Sequence, residues 1–159
     1  MTNSMTSSPK PWLSSAKVWT ILALVLLFAG FLDATYLTVE HYNGSNLKCV
    51  IAHGCDIVTT SKYATIGSVP ISLFGVGYYV VTALLLLIAL MQESRKVWRL
   101  GFGLVAIALA VSLVLVYLQV FVIHALCIYC LTSASITALT FILLAIPAWQ
   151  TRSTKNLTE

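Results

Sequence analysis

Residues 100–149 contain no Asp, Glu, Lys or Arg. As one helix those 50 residues would run about 75 Å, more than twice the hydrocarbon thickness of a bilayer. The segment must fold back on itself. Its most polar interior point lies around Gln119 and His124, which sets the turn near residues 124–126, although no Gly or Pro marks it. Two other runs are long enough to cross: residues 18–39, broken only by Asp33, and residues 71–91, with no charge. A crossing needs about 20 apolar residues. The chain thus predicts an all-α integral membrane protein, a four-transmembrane-helix bundle with helices at about 17–40, 70–91, 99–123 and 127–149. Composition agrees, since only 9% of residues are charged against about 25% in soluble domains. That excludes a soluble domain, a disordered chain and a coiled coil. The nine Lys and Arg behind the +4 net charge are scattered and form no basic face, so no nucleic-acid partner is expected.

Loop charges set the orientation. With the amino terminus inside, Lys10, Lys17, Arg95, Lys96, Arg99, Arg152 and Lys155 are cytoplasmic, and only Lys48 and Lys62 lie outside. Both termini are then cytoplasmic, in what would be a cell inner membrane. All four cysteines and all three histidines (His41, His53, His124) fall at the extracytoplasmic face. The first apolar run has 22 residues, longer than the 7–15 of a signal peptide core, which predicts an uncleaved helix. Residues 1–16 read as a mobile tail and 150–159 as a short polar end.

The outer loop, residues 41–69, is long for a compact bundle and reads as a functional cap. Its later part, residues 55–64, interleaves apolar and polar side chains and suits a short amphipathic helix on the bundle mouth. Pro70 sits where a first helical residue is expected, because its missing N–H is not needed there. The triplet Asn43-Gly44-Ser45 is a common chance match to a glycosylation acceptor and carries little weight.

Two cysteine pairs carry the chemistry. Cys127-Ile128-Tyr129-Cys130 puts thiols three apart on one helix face, close enough to bridge. They open the fourth helix, where free N–H groups and the dipole favour the thiolate that attacks disulfides. Cys49 and Cys55 lie in the polar loop with Gly54 beside them, which gives that pair freedom to move. Buried free cysteines, a four-thiolate zinc site and a fixed structural disulfide are the rival readings. Covalent haem is excluded, since Leu131 and not His follows Cys130. A mobile pair facing a helix-anchored pair suits a relay by thiol–disulfide exchange. Its soluble partner meets the outer pair, and a lipid-dissolved acceptor, naturally a quinone, meets the inner one.

In order, the chain shows C-x5-C, then C-D-I-V-T-T-S-K-Y-A-T, V-P-I-S-L-F-G-V-G-Y-Y and C-I-Y-C, with G-F-L-D-A-T-Y-L-T at residues 30–38. This arrangement resembles the vitamin K epoxide reductase family, its bacterial branch above all, over roughly residues 28–134. In the other quinone-linked disulfide oxidases of membranes the C-x-x-C pair sits in the first outer loop, whereas here it opens helix four. The resemblance implies that Cys49 exchanges with a thioredoxin-like (DsbA-like) periplasmic protein. Cys55 would pass electrons to Cys127 through a transient interloop disulfide, and Cys130 would be the thiolate against the quinone, which is ubiquinone, menaquinone or a vitamin K type. Ser61 would orient loop or quinone, and Phe74 and Tyr78 would line the quinone pocket. The net effect would be disulfide formation in exported proteins. Two departures stand out: Ile71 where the animal enzymes carry Asn, and Ala134 after Thr132-Ser133 where they end a Thr-Tyr-Ala triplet. Both count against epoxide reduction and coumarin binding. With ten residues after the last predicted helix, the thioredoxin-like partner is expected to be a separate protein.

Asp33, an ionisable group within a helix, shares its face with Tyr36, Leu37 and Glu40. It suits either a structural hydrogen bond inside the bundle or protonation of the quinone, with Tyr36 beside it at the quinone site. His124 suits support of the Cys127 thiolate or a plain interfacial role. Gln119 and Ser112 read as interhelical hydrogen-bonding groups. Gly75, Gly77, Gly101 and Gly103 read as sites of close helix approach, and Tyr78 and Tyr79 as pocket wall, interfacial belt or both. The alternatives to a disulfide-forming oxidoreductase are a vitamin K reductase proper, a proton-coupled transporter using Asp33, and a zinc-binding structural subunit. No metal is expected under the leading reading.

Overall fold

A computed structural model describes residues 11–43 and 55–155. Among these residues four helices are long and apolar enough to cross a membrane. Helix α1 spans Pro11–Asn43. It starts well before the expected residue 17, because Pro11 is preset for the first helical position and its missing N–H costs nothing there. A short α2, Cys55–Thr59, follows. Then come a two-stranded hairpin, β1 Thr65–Ile66 and β2 Val69–Pro70, and α3 over Ile71–Met91. Helix α4 covers Arg95–Tyr117 and runs into a π-helical turn at Leu118–Ile123. Helix α5 covers Ile128–Lys155, so residues 150–155 extend the last helix and are not a separate tail.

The four long helices pack as a ring. Helix α1 touches α3 and α5, and α4 touches the same two. Ala23, Leu27, Ala34, Tyr79, Leu86, Val105 and Leu144 fill the centre, while Val25, Phe28 and Ile107, each over 60% exposed, point outward as lipid-facing side chains do. Such a bundle gains little from burying apolar surface against lipid, so close packing and polar contacts hold it. At one end Trp98 Nε1–H donates to Thr20 Oγ1 (3.2 Å), and Lys17 pairs with Glu93 at 3.5 Å. Of the four glycines expected to permit close approach, Gly101 does so, since a Cβ there would lie 3.0 Å from Leu86 Cδ2. A Cβ at Gly75 would make ordinary contact with Ala34, and one at Gly77 or Gly103 would meet open space. The tightest approach is instead at Gly30, where a Cβ would collide with the Tyr79 ring.

The opposite end carries the cap. Its amphipathic helix stops at Thr59, five residues short of expectation, because local hydroxyls close it. Thr59 Oγ1 donates to Cys55 O (2.8 Å), and Ser61 Oγ donates to Val58 O (2.8 Å). The chain then forms a hairpin that the sequence reading lacks. Thr65 pairs with Pro70 and Ile66 with Val69, around Gly67 at φ 66°, a conformation open to glycine without strain. Pro70 lies in extended backbone as the residue before α3, not as its first helical residue.

Candidate functional site

The turn at residues 124–127 lies where the apolar length requires it, and its geometry explains the missing Gly and Pro. One π turn widens the end of α4, and His124 itself takes the left-handed conformation (φ 55°). The backbone N–H groups of His124 and Ala125 both donate to Gln119 O. Cys127 then caps α5: its carbonyl accepts Leu131 N–H (3.0 Å), and its Sγ accepts Cys130 N–H (3.4 Å). A serine or aspartate oxygen fills that role at ordinary helix starts; here a sulfur does. Gln119 Oε1 takes the N–H of Cys127 itself (3.1 Å). Gln119 therefore holds the start of α5 and does more than the interhelical bonding its sequence position suggests. The visible signal was a lone amide within the apolar run eight residues before Cys127.

These contacts set the chemistry of Cys127. A hydrogen bond from the Cys130 thiol lowers its pKa most, burial opposes, and the N–H groups of Cys130 and Tyr129 lower it further. The result is about 7 against an ordinary 9.0. A sulfur anion held by N–H donors at a helix start is a recurrent way to make a reactive thiol. His124 is exposed and takes no part in this set.

The two inner cysteines both pack at the cluster under the cap, but of the two only Cys130 also lines the cavity. Cys127 is fully buried in a cluster with Cys55, Val58 and Leu37 under the cap. Cys130 lines a cavity of about 550 Å³ between the cap and the bundle, within the size range of small-molecule sites. Cys55 is disulfide-bonded and Cys127 and Cys130 carry free thiols. Cys49 lies outside the described residues.

Ser61, Phe74 and Tyr78 all line the cavity, as do Ile71 and Ser133, the two positions where the chain departs from the animal enzymes, and Ala134. Tyr78 Oη is buried and makes no hydrogen bond there. Tyr79 also lines the cavity, but its hydroxyl is engaged with Ser133 Oγ at 2.7 Å and Thr137 Oγ1 at 3.4 Å. Asp33 and Tyr36 are not in the lining. The ring of Tyr36 stacks at a tilt on Tyr129, centroids 5.2 Å apart, so it packs against the start of α5 from the α1 side. The bundle hydrogen bond suggested for Asp33 is not made by its Oδ2, which is buried without a partner. Among the described residues no group of three or more His, Cys, Asp or Glu could hold a metal ion.

A membrane bundle with a C-x-x-C pair at the start of its last helix, under a cap and beside an apolar cavity, is a specific arrangement. The sequence model of the vitamin K epoxide reductase family matches residues 21–145, which include the inner cysteines, the cap and the whole cavity wall. The chain belongs to the vitamin K epoxide reductase family and is an oxidoreductase of the membrane.

Proposed function

We propose that the protein is a quinone-dependent thiol–disulfide oxidoreductase that reoxidises a separate thioredoxin-like protein, from an inner membrane with its cysteines on the extracytoplasmic side. The observation that carries this reading is the placing of the two inner thiols: Cys127 is fully buried in the cluster with Cys55, and Cys130, at the edge of that cluster, is the one that lines the cavity. A dithiol partner reduces the loop disulfide of Cys49 and Cys55 and leaves oxidised. The loop dithiol then reduces the Cys127–Cys130 disulfide, Cys55 attacking Cys127, and is itself reoxidised. Cys130, its proton taken by Cys127, adds to the quinone ring. Attack of Cys127 on the Cys130 sulfur then closes the inner disulfide and frees the quinol, which carries away two electrons and two protons. A Cys127 thiol poised near neutrality suits both the acceptance of that proton and the later attack, since attacking thiols work best with a pKa near ambient pH.

Ubiquinone and menaquinone suit the cavity better than an epoxide, because Ile71 brings no polar group to the wall where the animal enzymes carry Asn, and Ser133 lacks the phenol of their Tyr. The test is quinone reduction by purified protein supplied with a reduced thioredoxin-fold donor. Turnover that is lost in each single cysteine-to-alanine variant supports the relay. Turnover that survives without Cys130 contradicts it.

A further inference from the structure

Gln119 is 3% exposed yet lines the same cavity as Cys130. Its backbone is pinned by two N–H groups, from His124 and Ala125, and the π turn beneath it sets the direction of its side chain. The side-chain oxygen is committed, since only an acceptor can meet the Cys127 N–H at 3.1 Å. That fixes which end of the amide is which. The NH2 group is left with no hydrogen bond to any described residue, and it is not among the sealed, unpartnered atoms of the interior. It opens on the cavity.

Of the other polar groups nearby, the Tyr78 hydroxyl is also unpartnered but is sealed in the interior, and most of the rest are occupied. Ser61 donates to Val58 O, Thr59 to Cys55 O, and Tyr79 shares its hydroxyl with Ser133 and Thr137. Unlike a hydroxyl, an amide NH2 can only donate, so its ligand must present an acceptor, such as a carbonyl oxygen in a flat apolar ring. We propose that Gln119 donates a hydrogen bond to a quinone carbonyl and so holds the ring against Cys130, an assignment that rests on the quinone reading above. The same residue then touches both reactants through one amide: its oxygen holds the Cys127 backbone and its nitrogen holds the substrate. As electrons enter the ring, negative charge grows on that carbonyl oxygen, and a preset donor in a water-poor site stabilises it. After protonation the oxygen is a phenol, a weaker acceptor, and the quinol loosens.

The experiment pairs kinetics with vibrational spectroscopy on the full-length protein, using menadione isotope-labelled at its carbonyls. In the wild type the bound quinone should show one carbonyl band lowered from its position in lipid, and Gln119→Leu should abolish that lowering. The variant should also lose roughly tenfold or more in quinone kcat/KM. Gln119→Asn, which draws the amide back by one methylene, gives the same comparison if the leucine variant does not fold. Wild-type turnover with no lowered band, or a lowered band that survives in either variant, overturns the assignment and leaves the quinone reading standing. A wild type that neither binds nor reduces menadione or longer quinones overturns both.

Discussion

The sulfur of Cys127 accepts the backbone N–H of Cys130 at 3.4 Å, so the first thiol of the pair caps the helix that carries the second. Capping and reactivity are here one contact. The thiolate is the better acceptor, and the N–H is held in place by the helix it starts.

That contact predicts a pH profile. Cys127 is held at about 7, so its alkylation rate in the reduced protein should rise with pH through 7 and level off above. Because the Cys130 thiol is the largest lowering influence, Cys130→Ala should move the midpoint upward, and Cys130→Ser should keep part of the lowering. The sign for stability follows. A thiol whose pKa is depressed by folding contributes stability fully present above about 9 and lost as pH falls through about 7. Rapid-quench alkylation followed by mass analysis reads the midpoint.

Gly30 and Tyr79 predict a coupled pair. A Cβ at Gly30 strikes the Tyr79 ring, so Gly30→Ala should cost about 1–3 kcal/mol through overpacking. In a Tyr79→Ala background the same change should cost much less. Gly77→Ala is the contrast. Nothing lies within 4 Å of its Cβ, and the loss of helix-interior glycine should be neutral or favourable by up to about 1 kcal/mol. Thermal unfolding of the four variants in detergent checks the cycle.

The cavity wall predicts a separation of the two half-reactions. Ala134 lines the cavity, whereas Cys55 and Cys127 pack together beneath the cap. Ala134→Phe should therefore raise the quinone KM severalfold while exchange between the reduced donor and the loop disulfide stays within about twofold. Parallel assays of quinol formation and donor oxidation in a single turnover measure the two.

Much of this fold is legible in the sequence because membrane crossing is a matter of length. Fifty residues without a charge demand a reversal, and the polar pair Gln119 and His124 marks it. The hairpin at Thr65–Pro70 is not legible, since two-residue strands leave no periodic trace and only Gly67 carries a signal. The early start of α1 depends on Pro11 in a segment whose Ser-rich composition reads as a tail. At the site, Cys130, Ser61, Phe74 and Tyr78 line one cavity, with Cys127 buried beside it. Tyr36 and Asp33 share its neighbourhood without lining it. The roles of Gln119 and Gly30 depend on partners supplied by the fold: Gln119 meets Cys127 only across a π turn, and Gly30 meets Tyr79 only where α1 crosses α3. Neither spacing announces itself along the chain.

The central claim is that Cys127 serves the loop and Cys130 serves the quinone, and trapped disulfides test it most directly. Protein carrying Cys49→Ala and Cys130→Ala retains only Cys55 and Cys127. Mild oxidation should join them in high yield, detected as a cross-linked peptide by mass spectrometry. Protein carrying Cys49→Ala and Cys127→Ala should form the Cys55–Cys130 bond poorly. Equal yields, or a preference for Cys130, would contradict the account.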